Sequence, residues 1–526
     1  MSSSPISAIL ALSSHSSTDR VLVFETSDGG SNPSGSTNNM KYDIPKEVRA
    51  AVAILTSASF EAYLVGGCVR DFLIGRMPSD WDVTTNAAPE KIQELFPNSF
   101  YENKFGTVSV VTGSEDPRLR AIEITPFRLE GKYSDKRHPD EISFAKTLEE
   151  DLARRDFTVN AMALRLTDGE HELIDPFDGE KDLAAKIIRT VGDPEKRFGE
   201  DALRIMRAVR FVSDLGFAIE EKTKMALQKT ASLLGTIAQE RIRDEFSKMI
   251  VAPKPSVGLE LAREVNILKL FLPELLEGWD VGQNKHHIYT VWEHNLRALD
   301  HAAEEKWPLV VRMSALFHDI AKPRSKRGDG PDSTFYGHDV LGAEMSYEIL
   351  SRLKYPKNFV EKVSKLVRFH LFYYNVDEVT DSSVRRLIAK VGSEDMEDLI
   401  RVRICDRIGS GVPKAEPYKL RHFRFIVEKL QRDPISVKML KIDGDKIMKV
   451  TGITPGAKIG MLLNALLEEA LEDPSKNTEE YLERRAVELS TLSDAELKKL
   501  AEQGKSKKIG LEEEELAHIK KKHYVK

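Results

Sequence analysis

The stretch from Tyr63 to Asp82 leaves the chain few ways to fold. Val65 closes an apolar run of strand composition, Gly66 and Gly67 follow, and a helix begins near Val69 with Arg70 and Asp71 in its first turns. A strand that turns through two glycines into a helix lets backbone N–H groups approach one point, which suits an anion such as phosphate. Asp80-Trp81-Asp82 comes a few residues later. In a strand, residues two apart share a face, so both carboxylates can offer hard oxygen ligands to one Mg²⁺. A Gly-Gly turn alone is common, and a D-x-D pair alone is usually a solvated loop. Side by side they point to nucleotide chemistry.

Two later stretches, Thr107 to Thr112 and Arg120 to Thr125, are β-rich and alternate. In the second, Ile122 and Ile124 are expected to face a core, which turns Glu123 toward the other side as a third carboxylate. Three acids on neighbouring strands suit two-metal phosphoryl transfer, although Glu123 also reads as a solvated strand residue. At 526 residues and 41% apolar content the chain has length for three or four domains. Its two cysteines, Cys68 and Cys405, lie in unrelated segments, so neither a disulfide framework nor a thiolate zinc site is expected, and a reducing cytoplasm is the natural setting. No stretch reaches the apolar length of a membrane helix, so no membrane partner is expected. A formal charge of −6 provides no global pull on nucleic acid, which leaves any polyanion to local basic patches and metal ions.

Gly66-Gly67-x-x-Arg70-Asp71, Asp80-x-Asp82, Glu123-x-x-x-x-Arg128 and Arg154-Arg155-Asp156-Phe157-Thr158-x-Asn160-Ala161 resemble the class II tRNA nucleotidyltransferase and poly(A) polymerase family. The likeness continues through Glu200-Asp201-x-x-Arg204-x-x-Arg207-x-x-Arg210-Phe211 and Glu240-Arg241-x-x-x-Glu245, in family order over contiguous sequence. It implies a head and neck that form a nucleotide pocket and a body and tail that hold the tRNA acceptor end. Asp80, Asp82 and Glu123 become the expected catalytic acids, the first two holding Mg²⁺. Gly66, Gly67, Arg70, Asp71, Arg155, Asp156, Asn160, Asp201, Arg204, Arg207 and Arg210 become the expected nucleotide site.

Read from the residues, Asp156 can bond a ribose hydroxyl while Arg155 faces phosphate. Asp201, Arg204 and Arg207, three apart on one expected helix, can converge on a ligand. A carboxylate accepts from cytosine N4 or adenine N6 and a guanidinium donates to the ring, so an Asp-Arg pair reads either base and rejects guanine and uracil. Taken alone, each is also an ordinary surface ion pair. The polar stretch Gly131 to Asp140 is expected to be a mobile loop, similar to the flexible loop that relatives adding the terminal A need. Lys136 stands where relatives often have Gly, and an ordinary connector is the alternative.

A second constellation follows: His294, the pair His318-Asp319, His338, His370 and Asp406. Their order and context resemble an HD-type metal phosphohydrolase, with an imidazole and carboxylate donor set suited to Mn²⁺, Co²⁺ or Ni²⁺ and two extra histidines for a second ion. The run Lys322 to Gly328 can bind phosphate or be a solvated basic loop. Further on, Asn477-x-x-Glu480 and Ser493-x-x-Glu496 read as helix starts.

The expected architecture is α+β, a mixed-sheet nucleotidyltransferase head followed by all-helical neck, HD, body and tail regions. Residues 1–40 read as a disordered Ser/Gly/Asn-rich tail. There the apolar patch Ile6 to Leu12 lacks a basic flank, which argues against a signal peptide, while the scarcity of acids leaves organelle targeting as a weak alternative. The head spans 41–170, the neck 171–258, the HD domain 259–415 and the tRNA-binding body and tail 416–500, with Lys438, Lys441, Lys446 and Lys449 as phosphate contacts or exposed lysines. Residues 501–526 are expected to be a charged, loosely ordered extension. The resemblance implies template-independent CCA addition to tRNA from CTP and ATP in the cytoplasm. Poly(A) or partial CCA addition is the alternative within the class, and an RNA-binding HD phosphohydrolase is the alternative outside it.

Overall fold

The computed structural model describes residues 43–101, 106–130, 142–167, 171–284, 288–376, 378–412, 415–431, 437 and 440–525. The tail 1–40, the stretch Gly131 to Asp140 and Lys438 lie outside the described residues.

A seven-stranded mixed sheet forms the head. Strands β1 (Ala62–Val65), β2 (Asp82–Thr85), β3 (Ser99–Tyr101), β4 (Val108–Val111) and β5 (Ala121–Pro126) are followed by a separate ribbon of β6 (Arg128–Glu130) and β7 (Ile142–Phe144), then by β8 (Ala163–Arg165) and β9 (Glu172–Ile174). Their order across the sheet is β3-β4-β5-β2-β1-β8-β9. The interior strand β1 is buried along its whole length and pairs antiparallel with β2 and β8. Strand β2 runs parallel to β5 with Asp82 opposite Glu123. Ile122 and Ile124 are fully buried while Glu123 is exposed, the alternation that a strand with one covered face produces. The helix Lys46–Ser57 covers that face with Val48, Ala51, Val52 and Leu55.

The rest of the described chain is mostly helical, but the neck is not all-helical as expected: Glu172–Ile174 completes the head sheet beyond residue 170, and Ile187–Ile188 pairs in parallel with Ala218–Ile219. In the neck, helix Leu203–Leu215 crosses helix Pro255–Glu264 so closely that a Cβ on Gly258 would stand 1.9 Å from Ser213 Oγ and 2.9 Å from the Val209 carbonyl. Only glycine permits that approach. The HD region comprises Val291–Glu304, Leu309–Phe317, His338–Arg352, Lys357–Phe369 and Met396–Gly409. One continuous apolar core runs from Ile44 in the head through Phe246 in the neck to Trp292, Phe317 and Val367. A separate core gathers Leu440, Leu466, Leu482 and Leu497 near the C-terminus.

Three local expectations change. Asp201 is not on the helix of Arg204 and Arg207; its φ of −133° is extended, and it lies between helices Pro194–Glu200 and Leu203–Leu215. The 3-residue spacing runs across a break that spacing cannot reveal. Thr478, not Asn477, caps helix Glu479–Ser490, whereas Ser493 and Glu496 do form a capping box. Instead of a loosely ordered extension, one helix spans Asp494–Lys522. Its last turn carries Lys520, Lys521 and Lys522, which complement the helix dipole, and Ile519 and Val525 are buried in a core shared with helix Tyr418–Gln431. Lys522 and His523 both close on Glu428. Among the described residues no helix is long and apolar enough to cross a membrane.

Candidate functional site

The glycine turn sits between opposite charges. Gly66 has φ +77°, and a Cβ there would lie 2.9 Å from Arg155 Nη1 and 3.7 Å from Asp82 Oδ2. A side chain is thus disfavoured by backbone strain, and it would also displace the Arg155 guanidinium. All eleven residues expected at the nucleotide site, Gly66, Gly67, Arg70, Asp71, Arg155, Asp156, Asn160, Asp201, Arg204, Arg207 and Arg210, line one cavity of about 510 Å³ together with Asp80 and Asp82. Glu123 flanks Asp82 on the neighbouring strand and lies outside that lining. Asp82 opens β2, and Asp80 precedes the strand, accepting a bond from Ser79 Oγ. Burial first, then the charges of Asp80 and Glu123, push the Asp82 carboxyl up to about 7, and Arg155 partly offsets them. Crowded like charge around a half-buried acid is relieved by a cation, so this donor set fits a hard divalent metal.

The arginines are fixed by a relay of hydrogen bonds. Asp71 accepts from Arg70 Nε at 2.9 Å, Arg70 Nη1 donates to Asn160 Oδ1 at 2.7 Å, Asn160 Nδ2 donates to Asp156 at 3.2 Å, and Arg207 Nε donates to Asp156 Oδ2 at 2.7 Å. Burial alone would raise the Asp156 carboxyl, but Arg207 and Asn160 hold it down to about 2. Asp156 is therefore an anchor for Arg207 as well as a cavity residue. Arg204 is buried and donates to Glu200 at 2.9 Å and to the Arg197 and Arg154 carbonyls. The guanidinium groups of Arg70, Arg207 and Arg210 stand 5.4, 5.3 and 4.3 Å from the Phe211 ring centre. Arg210 also pairs with buried Glu245 at 3.1 Å. Asp201 accepts from the Leu203 N–H, and burial raises its carboxyl.

Asp151 was not singled out in the sequence, yet its side chain is fully buried beneath Arg154 and Arg155, at 2.9 and 3.2 Å. The signal was available: an acid three and four residues ahead of two arginines, on a helix opened by the Thr147 capping box.

In the helical region a tighter cluster forms. His294 Nε2 lies 2.8 Å from His318 Nε2 and 3.1 Å from Asp319 Oδ2, and Asp406 Oδ1 is 3.5 Å from His294. The other Asp319 oxygen faces His338 Nε2 at 3.3 Å and His370 Nε2 at 3.6 Å. Two ligand groups thus share one carboxylate: His294, His318, Asp319 and Asp406 in the first, Asp319, His338 and His370 in the second. The Nδ1 atoms of His318, His338 and His370 lie at hydrogen-bond distance from the carbonyls of Ala315, Phe335 and Val367, which fixes each ring with Nε2 inward. Apart from these Asp319 contacts, His338 Nε2 and His370 Nε2 are buried with no other hydrogen-bond partner among the described residues, as expected of atoms set to bind a metal. Burial would lower His318, but Asp319 and Asp406 push it up to about 10.

Of the basic run, Lys322 enters the cluster, 2.5 Å from Asp319, while Arg324 pairs with Glu277 at the surface. An open cavity of about 710 Å³ above the cluster is lined by Lys322, Arg403, Arg407 and Ser410 among others. Arg403 and Arg407 were missed because nothing in the sequence marks them apart from the i−3 and i+1 spacing to Asp406.

Residues 62–189 match the family described as the poly A polymerase head domain, 216–278 the probable RNA and SrmB-binding site of polymerase A, and 286–408 the HD domain. A CCA-adding enzyme of Lactobacillus helveticus is 52% identical over 200 residues, 38% of this chain and 48% of that protein, so the chain spans about half of that relative. A CCA-adding enzyme of Lactobacillus delbrueckii subsp. bulgaricus is 49% identical over 427 residues, 81% of this chain and 93% of that one. The crystal structure of the Bacillus stearothermophilus CCA-adding enzyme in complex with CTP superposes with a TM-score of 0.54 at 27% identity, covering 85% of this chain and 98% of that one. By its long match at 49% identity and its shared fold, the chain belongs to the CCA-adding enzyme family.

Proposed function

We propose that the chain adds the 3′-terminal CCA to tRNA from CTP and ATP. The observation that carries this reading is the single cavity into which the glycine turn, the Asp80 and Asp82 carboxylates and the Asp201, Arg204 and Arg207 side chains all open. Asp80 and Asp82, with Glu123 beside them, would hold Mg²⁺, which when bound would supply Lewis-acid stabilisation of the triphosphate and lower the pKa of the attacking 3′-hydroxyl. The Gly66 and Gly67 backbone and the Asp151-anchored Arg155 receive the phosphates. Asp201 accepts from the exocyclic amine of cytosine or adenine while Arg204 and Arg207, preset by Glu200 and Asp156, donate to the ring. Asn160 and Arg70 keep that set in register.

Lys441 and Lys449, around a separate cavity of about 800 Å³, contact the tRNA backbone. Lys446 contributes less, because Glu479 and Glu483 hold it at 2.8 and 2.9 Å. The enzyme works in the cytoplasm, where its two buried free cysteines stay reduced. Incubation with tRNA ending at the discriminator base and labelled CTP or ATP tests the reading. Ordered addition of C, C and A is expected; addition of A alone or C alone makes the enzyme a partial one, and no addition refutes the proposal.

The HD cluster favours a second activity. His294, His318, Asp319 and Asp406, with His338 and His370, would hold transition-metal ions that supply Lewis-acid chemistry for phosphoester hydrolysis, and Lys322, Arg403 and Arg407 are placed to meet the substrate phosphate.

A further inference from the structure

Five consecutive residues, Phe369 to Tyr373, serve three places. His370 turns Nε2 toward Asp319 in the metal cluster. Leu371, 46% exposed, lines the cavity above it. Phe369, Phe372 and Tyr373 form one wall of a separate groove of about 380 Å³. Helix Asp381–Val391 forms the opposite wall and presents Arg386 and Lys390, one turn apart on the same face. Phe423 closes the floor, stacked on Phe372 with ring centres 4.5 Å apart. Among the described residues the lining contains these two cations and no acid. Tyr373, whose hydroxyl donates to Glu378, is 71% exposed.

An exposed ring beside a pair of cations is the pattern that binds single-stranded nucleic acid, the ring stacking on a base and the cations tracking phosphates. In a chain of net charge −6 such a patch is a local feature. An acidic peptide would use the cations but gain little from an isolated exposed ring. Leu371, next in the chain to Phe372 of the groove, lines the cavity that carries Lys322, Arg403 and Arg407, so the groove and the further phosphate-binding groups flank one chain segment.

We propose that this groove binds the single-stranded 3′ end of an RNA and leads its last nucleotide into the HD cavity. The binding stands on the groove alone, and the delivery rests on the phosphohydrolase reading given above. The two are separated by testing binding without transition metal. A hexaribonucleotide carrying 4-thiouridine is photo-crosslinked to the full chain, and the adduct is expected on the peptide containing Tyr373. The double variant Arg386→Glu, Lys390→Glu is expected to weaken hexanucleotide affinity at least tenfold. It should also make the slope of log K against log salt shallower by about 1.4, the value for two single-strand phosphates. Tyr373→Ser should weaken binding about tenfold with the salt slope unchanged, and CCA addition should persist in both.

Crosslinks confined to head and neck with unchanged affinity overturn the binding, and so does displacement by polyglutamate as effective as by RNA. For delivery, wild-type protein with Mn²⁺ is given a 3′-phosphorylated hexanucleotide and a nucleoside 3′-monophosphate. A preference of tenfold or more in kcat/KM for the hexanucleotide, lost in Tyr373→Ser, supports it. Equal rates on the two overturn delivery, and hydrolysis of neither overturns the phosphohydrolase reading with it.

Discussion

Asp82 shows how much of the proposed chemistry rests on single side chains. It is half-buried, bordered by Asp80 and Glu123, and pushed up to about 7, so removing either neighbour eases its charge, and removing Asp80 also takes away a proposed metal ligand. Asp80→Ala or Asp82→Ala is expected to abolish C and A addition alike, by 10³-fold or more, with tRNA binding retained; a filter-binding assay beside the addition assay checks it. Asp201→Ala should relax base choice by about 1–3 kcal/mol, read as misincorporation of UTP or GTP. Asp156 makes a pH prediction. Its carboxyl is held at about 2 against an ordinary 3.8, so its stabilising share is fully present above about pH 4 and is lost as pH falls through 2. Urea unfolding across that window should show Asp156→Asn about 2 kcal/mol less stable at neutral pH, with a flatter acid limb. At this scale much was legible in the sequence, because Gly66, Gly67, Asp80 and Asp82 act through local geometry. Arg403 and Arg407 were not, because their importance lies in the cavity that the tertiary fold builds around them, whereas the local i+3 and i+4 spacing of Asp151 to Arg154 and Arg155 was there to be read.

Among the elements, capping chemistry was readable where both partners sit within one turn, as at Ser493 and Glu496. It failed where a break interrupts a regular spacing, as at Asp201, since two short helices in series carry the same i, i+3 signal as one. The C-terminal helix depends on contacts far away in sequence: Ile519 is 1% exposed against the core of helix Tyr418–Gln431. Ile519→Asp should cost about 2–4 kcal/mol by leaving an unpaired charge in an apolar site, measured as a lowered Tm. Removal of this anchor should leave the head and neck chemistry untouched.

The whole molecule carries two proposed metal centres of different donor type, carboxylates in the head and mostly imidazoles in the HD region. Nucleotide addition should therefore prefer Mg²⁺, and hydrolysis Mn²⁺, Co²⁺ or Ni²⁺. The double variant His318→Ala, Asp319→Ala should lose hydrolysis and transition-metal content while keeping CCA addition. Metal analysis and paired assays decide it, and absence of both metal and hydrolysis in the wild type would reduce the HD cluster to scaffold.

The apolar core that runs unbroken from Ile44 to Val367 bears on how such a chain can diverge. Trp292, Phe317 and Val367 belong to the HD helices yet pack in the same core as head and neck residues. A lineage with no use for the second chemistry can discard the histidines and aspartates one substitution at a time, since they pack polar atoms around a centre of their own. It cannot discard the helices without stripping the core they share with the nucleotide pocket. Descendants are thus expected to inherit the HD architecture more faithfully than the HD activity.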